Sequence, residues 1–191
     1  MAEQTKVAVE SVDQKAAETA GWEADLFAPE RVGRWMRGEI TLQQLNGISG
    51  PEMLEIAMIG FALYEQGRYA DAQVVFEGLC SLDPKEAYYQ TALGATYLAR
   101  EQLESAEVCF GRAIKLNHEE ISSYVNRGEV YLRQGRIVEA AQDFKRAVEL
   151  DPENKNPLSH RARLLAAAAL TAIDQAKKVA RAAGPRAAPA S

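Results

Sequence analysis

Between residues 62 and 84 the chain reads ALYEQGRYADAQVVFEGLCSLDP. An apolar run breaks at Gly67–Arg68–Tyr69, a second apolar run follows, and Asp83–Pro84 stops it. Apolar residues at three- and four-residue spacing fall on one face of a helix, so the stretch predicts a helical hairpin. Capped helices precede it. PERVGRWMRG (29–38) opens on Pro–Glu and stops at Gly38, TLQQLNG (41–47) carries a Thr-x-x-Gln capping box, and SGPE (49–52) carries another. Further on, LSHRARLLAAAALTAIDQAKKVARAA (158–183) can form one long helix. Leu158, Leu165, Ala169, Ile173 and Ala176 lie on one side of it, opposed by Arg161, Lys177 and Arg181.

A shift of 34 residues brings the hairpin back. Residues 53–86, 87–120 and 121–154 align without a gap. Gly60, Gly94 and Gly128 coincide, as do Ala72, Ala106 and Ala140, then Phe76, Phe110 and Phe144, and Leu82, Leu116 and Leu150. Pro84, His118 and Pro152 close the units. Period and pattern resemble the tetratricopeptide repeat. The glycine and the alanine sit where two helices cross closely. Phe and Leu of the second helix fill the layer between repeats, and Asp–Pro ends that helix because proline cannot continue it. His118, in the place of a proline, reads as a turn residue. One position departs: Ile59 and Leu93 are followed by Arg127. An unpaired buried arginine is costly. Either its head reaches water or an acid such as Glu129 or Asp143, or this end of the array is less tightly closed.

The expected fold is all-α, with no sheet: a tetratricopeptide-type solenoid of three helix pairs with N-terminal helices and a C-terminal capping helix. Residues 1–20 are expected to be disordered. Helices with a dimerisation role are expected over 21–48, the repeats over 49–154, the capping helix over 155–183 and a disordered tail over 184–191. The capping helix would cover the open face that every solenoid has at its end. Val32, Trp35 and Met36, beside Ile40, form an apolar face before the array. It packs either onto the first repeat or onto a second copy of the chain, and a weak homodimer is the expectation.

Composition narrows the function. With 191 residues, 47% of them hydrophobic, the chain can bury a core of ordinary size. The net charge of −5 is uneven: from Lys155 onward there are seven Lys/Arg and one acid, leaving −11 for the rest. An acidic body argues against nucleic acid as the partner. Neither a Sec-type leader nor a membrane-length apolar run is visible. Cys80 and Cys109 lie in helical patterns without metal-ligand spacing, which predicts buried thiols in a reducing compartment, the cytoplasm. Two histidines in polar segments, no Gly-rich phosphate loop and no paired carboxylates predict no catalysis, metal or cofactor.

The first helix of each repeat should line an inner face, at the second, fifth, ninth, twelfth and thirteenth positions. That selects Leu54, Ala57, Phe61, Tyr64 and Glu65, then Tyr88, Thr91, Ala95, Leu98 and Ala99, then Ser122, Val125, Glu129, Leu132 and Arg133. The set is mostly apolar with tyrosine hydroxyls. A clamp for a carboxylate needs Lys, Arg and Asn here; only Arg133 and Asn126 come close, and Glu129 opposes an anion. An extended apolar peptide suits the lining better.

The run GEITLQQLNGIS, with LYEQGRYADAQVVFEGLCSLDP and ALGATYLAREQLESAEVCFGRAIKLN, resembles the class II chaperones of type III secretion translocators. Thr41, Leu45, Ile48, Ser49, Gly67, Tyr69, Ala72, Phe76, Leu79, Cys80, Leu82 and Asp83 carry the resemblance, which spans about Pro29 to Leu150. It implies a cytoplasmic chaperone of a Gram-negative bacterium. Such a protein holds an extended N-terminal segment of a hydrophobic secreted client, without stable membrane insertion, and often dimerises through its N-terminal helices. Phe61, Tyr64, Tyr88, Tyr89 and Leu98 become groove contacts on that basis. The regular third repeat and the long Ala-rich basic helix depart from the family pattern. The rival reading is a general tetratricopeptide scaffold, for pilus or envelope-complex assembly, binding a folded partner.

Overall fold

The three copies of the 34-residue pattern fold as three antiparallel helix pairs. The structure is a computed structural model, and it describes residues 28–182. The expectations for residues 1–20 and 184–191, and the parts of those for the N-terminal helices and the capping helix that fall on 21–27 and 183, lie outside that range. All regular structure among the described residues is helical. Two short helices, α1 (Pro29–Met36) and α2 (Leu42–Leu45), lead in. The pairs are α3 (Gly50–Glu65) with α4 (Tyr69–Leu82), α5 (Ala87–Ala99) with α6 (Leu103–Leu116), and α7 (Ile121–Arg133) with α8 (Ile137–Leu150). A 26-residue helix, α9 (Pro157–Ala182), follows and packs along α8.

Both capping boxes predicted from the sequence are formed. The Thr41 hydroxyl accepts from Gln44 N–H while the Gln44 side chain accepts from Thr41 N–H, and Ser49 and Glu52 repeat the exchange at the start of α3. Four N-terminal amides of a helix lack internal partners, and each box satisfies donors at that end. Between the helices of each pair the chain reverses through one residue with positive φ: Gly67 at 75°, Glu101 at 60° and Gly135 at 76°. Glycine takes this conformation without a Cβ clash, and the middle repeat tolerates a glutamate there.

Each repeat is closed by one glycine and one ring. A Cβ placed on Gly60, Gly94 or Gly128 would stand 2.8, 2.7 or 2.5 Å from the ring of Phe76, Phe110 or Phe144. The phenylalanine lies over the glycine of its own repeat, so it joins the two helices of a pair, where sequence reading had placed it between repeats. Ala72, Ala106 and Ala140, with no exposed surface, complete the crossings. Cys109 is buried and Cys80 half-buried. Both are free, and burial above all pushes their thiols up, to about 11 and about 12.

Arg127 has found the acid. Its Nε and Nη2 donate to the two carboxylate oxygens of Asp143 at 2.7 and 2.8 Å, and its guanidinium lies 5.7 Å from the Tyr131 ring centroid. The bond to Asp143, ahead of the desolvation that opposes it, holds the guanidinium further up its already high range. The exceptional residue of the third repeat is a paired one, which satisfies the condition for burying charge.

The turn into α9 is organised by Asp151, whose carboxylate accepts from the N–H groups of Asn156 (2.8 Å) and Lys155 (3.1 Å). Arg163 ties the same turn by donating to the carbonyl oxygens of Asp151 and Pro152. At the other end, α1 buries none of its residues and packs on α2, which reaches α4. No helix among the described residues is long and apolar enough to cross a membrane.

Candidate functional site

Helices α3, α5 and α7 are the first helices of the three pairs; the Phe61 and Tyr88 rings meet between α3 and α5, and α5 contacts α7. The predicted lining divides into three groups there. Leu54 and Tyr88 are open, at 57% and 42% exposure, and Glu65 is exposed. Phe61, Tyr64, Tyr89, Ala95 and Leu132 are half-buried. Ala57 and Val125 have no exposed surface, and Thr91 and Leu98 have 8%. The fifth position of the repeat is thus a helix-packing position in this chain, and a ligand cannot reach Ala57 or Val125. At that level the Thr91 and Ser123 hydroxyls meet at 2.7 Å and join α5 to α7.

The open residues form a strip of rings and aliphatic chains. Phe61 meets Phe76 edge-on at 5.4 Å and Tyr88 at 5.5 Å, and Tyr88 meets Tyr89 at 6.0 Å. Tyr64 packs edge-on against Tyr69 at 5.2 Å, which fixes its position. Such ring pairs hold one another in place, so the wall exists before any ligand arrives. Met58, 62% exposed, stands one turn after Leu54 and extends the strip, although the positional template omitted it. Burial first, then Tyr69 and then Glu129, pushes the Tyr64 phenol up. The Tyr88 phenol is also raised, by burial and then by Glu120.

Sequence reading missed Arg161. From the first turns of α9 it reaches Glu129 at 2.6 Å, where the glutamate side chain is only 15% exposed. Glu129, the acid that would repel an anion, thus has its counter-charge from outside the repeats. Val32 of the proposed dimerisation face is half-buried, while Trp35 and Met36 are 42% and 76% exposed. These residues lie on α1, away from the strip. The strip offers apolar surface edged by hydroxyls, suited to binding an extended chain.

Comparison with known proteins agrees with the all-helical repeat fold. The tetratricopeptide repeat model matches residues 121–154, the third repeat. No curated protein matches the chain in sequence. Among solved structures, a type III secretion complex from Aeromonas hydrophila is 25% identical, with a TM-score of 0.70, over 77% of this chain and 99% of that one. The translocator chaperone SycD of Yersinia enterocolitica is 28% identical, with a TM-score of 0.63, over 68% of this chain and 98% of its own. The chain resembles the type III secretion translocator chaperones. SycD bound to a peptide of the translocator YopD is 26% identical, with a TM-score of 0.60, over 65% of this chain and 96% of its own. The matched chaperones are covered almost from end to end, while about a quarter to a third of this chain extends beyond them.

Proposed function

We propose that this chain is a cytoplasmic secretion chaperone that acts by binding, not catalysis. It holds an extended apolar segment of a hydrophobic, translocator-type secreted protein along α3, α5 and α7. The observation that carries the reading is the strip of exposed Leu54, Met58 and Tyr88 with half-buried Phe61 against them. The bound YopD peptide in the SycD structure supports it. Each anchor side chain of the client that leaves water gains roughly 1.5–3 kcal/mol. Two or three anchors, less the cost of association, place the affinity on the order of micromolar to tens of nanomolar. Tyrosine hydroxyls and Glu65 orient the client main chain. The exposed Trp35 and Met36 form the contact of a weak homodimer at α1.

Calorimetric titration tests the reading, with the N-terminal segment of a hydrophobic secreted protein encoded beside this chain as the ligand. Tyr64 packs on Tyr69, so truncating it would also disturb the fold. Leu54→Ala with Met58→Ala removes two exposed walls that no ring pair depends on. The double variant should lose roughly 2–4 kcal/mol of binding, at typical hot-spot costs, with its melting temperature nearly unchanged. Undiminished binding would transfer the client to another surface and favour a scaffold for folded partners.

A further inference from the structure

We propose that the trough between α8 and α9, on the side away from the inner strip, is a second docking site. It fits an amphipathic helix of a partner protein that carries acidic residues along its flanks. The register of the repeats explains why the trough exists. Gly67, Glu101 and Gly135 each turn the chain from the first helix of a pair into the second. The residue 34 positions after Gly135 is Ala169, in the interior of α9 and 4% exposed. The chain does not turn there. No returning helix covers this side of α8 and α9 among the described residues.

The space left has the dimensions of a helix. Three adjoining cavities of about 650, 350 and 300 Å³ run along the groove. The first two share Val138 and Ile173, and the last two share Ala141 and Leu170. They extend from Ile137 to Val148 along α8, about 17 Å at 1.5 Å per residue. That is close to the length of this chain's own second helices, which have 14 residues each. Small residues on the floor (Ala141, Ala166, Ala167) permit close approach of a helix backbone. Leu170 and Val138, at 57% and 53% exposure, are the walls.

Charge selects the partner. Lys145, Arg163 and Lys177 edge the trough, whereas Glu139 at its far end is held by Arg136 at 3.0 Å. Lys145 has an exposed contact with Glu149 at 3.7 Å, too weakly held to cancel it. The α9 side of the trough belongs to the basic end of the chain, and Lys145 adds a cation from α8. The trough therefore disfavours basic helices. Arg161, two residues from Arg163, faces Glu129 on the opposite side of α9. A helix in the trough leaves the inner strip free, and the proposal stands independently of the function proposed above.

The test uses the full-length chain labelled with ¹⁵N and a synthetic 16-residue peptide with a Leu/Ala face flanked by Glu. A twin peptide carries Lys in place of Glu. The Glu peptide should shift the amides of Ala141, Leu170 and Ile173 and leave those of Leu54 and Tyr88 in place. The Lys twin should bind at least about tenfold more weakly, and Lys145→Glu with Lys177→Glu should weaken the Glu peptide by a similar factor. Equal affinity for the twins, shifts centred on Leu54 and Tyr88, or no saturation at millimolar peptide would each overturn the proposal. So would α8–α9 shifts that grow with protein concentration in the absence of peptide, which would give the trough to a second copy of the chain.

Discussion

Replacing a mid-helix glycine by alanine normally stabilises a protein, by about 1 kcal/mol in an exposed helix. At Gly128 the sign should reverse. The new Cβ would stand 2.5 Å from Cε1 of Phe144 and 2.9 Å from two further ring carbons. Carbon atoms rest at about 3.5–4.0 Å, so ring and helix must part by about 1 Å. Phe144 has no exposed surface and lies in a core with Ala140, Ala147 and Ala162, so the ring has no free volume to enter. Overpacking of this kind costs about 1–3 kcal/mol. Set against the helix-propensity gain, Gly128→Ala should destabilise by up to roughly 2 kcal/mol, lowering the melting temperature by up to about 8 °C. Gly78 supplies the control: it lies inside α4, and a Cβ there meets nothing within 4 Å. Gly78→Ala should stabilise by up to about 1 kcal/mol. Urea and thermal unfolding followed by circular dichroism read both. If Gly128→Ala stabilises as Gly78→Ala does, the glycine–ring crossing is not what closes the repeat.

Three further outcomes are expected. Arg127→Leu should destabilise by roughly 2–4 kcal/mol because it strands the Asp143 carboxylate, 9% exposed, and adding Asp143→Val should recover most of the loss, as urea denaturation would read. Asp151 has a folded-state pKa depressed first by the Asn156 N–H, so its contribution is complete above the unfolded value of about 4 and fades as pH falls through the lower folded value. The stability difference between parent and Asp151→Ala should therefore shrink below about pH 4 in melts taken across the acid range; a constant difference would contradict the role assigned to the turn. Trp35→Glu with Met36→Glu should make any dimer monomeric in light scattering without lowering the melting temperature, since α1 buries no residue of its own.

The repeat was legible because physical necessity wrote it three times. A glycine under a ring and an alanine at a crossing each leave one residue type at a fixed offset in all three repeats, and an Asp–Pro stop recurs in two of them. The inner face was legible only as a direction. Position along a helix tells which way a side chain points but not how closely the neighbouring helix approaches. Ala57 of α3 and Val125 of α7 were therefore read as lining although both are fully buried by helix packing, and exposed Met58 was passed over. Arg127 could be recognised as needing a partner, and Asp143 was one of two acids in reach. The pairing of Arg161 with Glu129 depended on how α9 crosses the array, a packing choice that no local pattern encodes. Ala169 carried a signal that was there to find: it stands where each repeat puts its turn, and it marks the point where α9 runs on.

Whether a client lies along α3, α5 and α7 can be read by photo-crosslinking in cells. One variant carries benzoylphenylalanine in place of Tyr88, and a second carries it in place of Val108, which is 52% exposed on α6. The Tyr88 position should crosslink to one hydrophobic secreted protein through a short N-terminal segment identified by mass spectrometry, and the Val108 position should not. Crosslinks to that protein from Val108 but not from Tyr88 would contradict binding on the inner face.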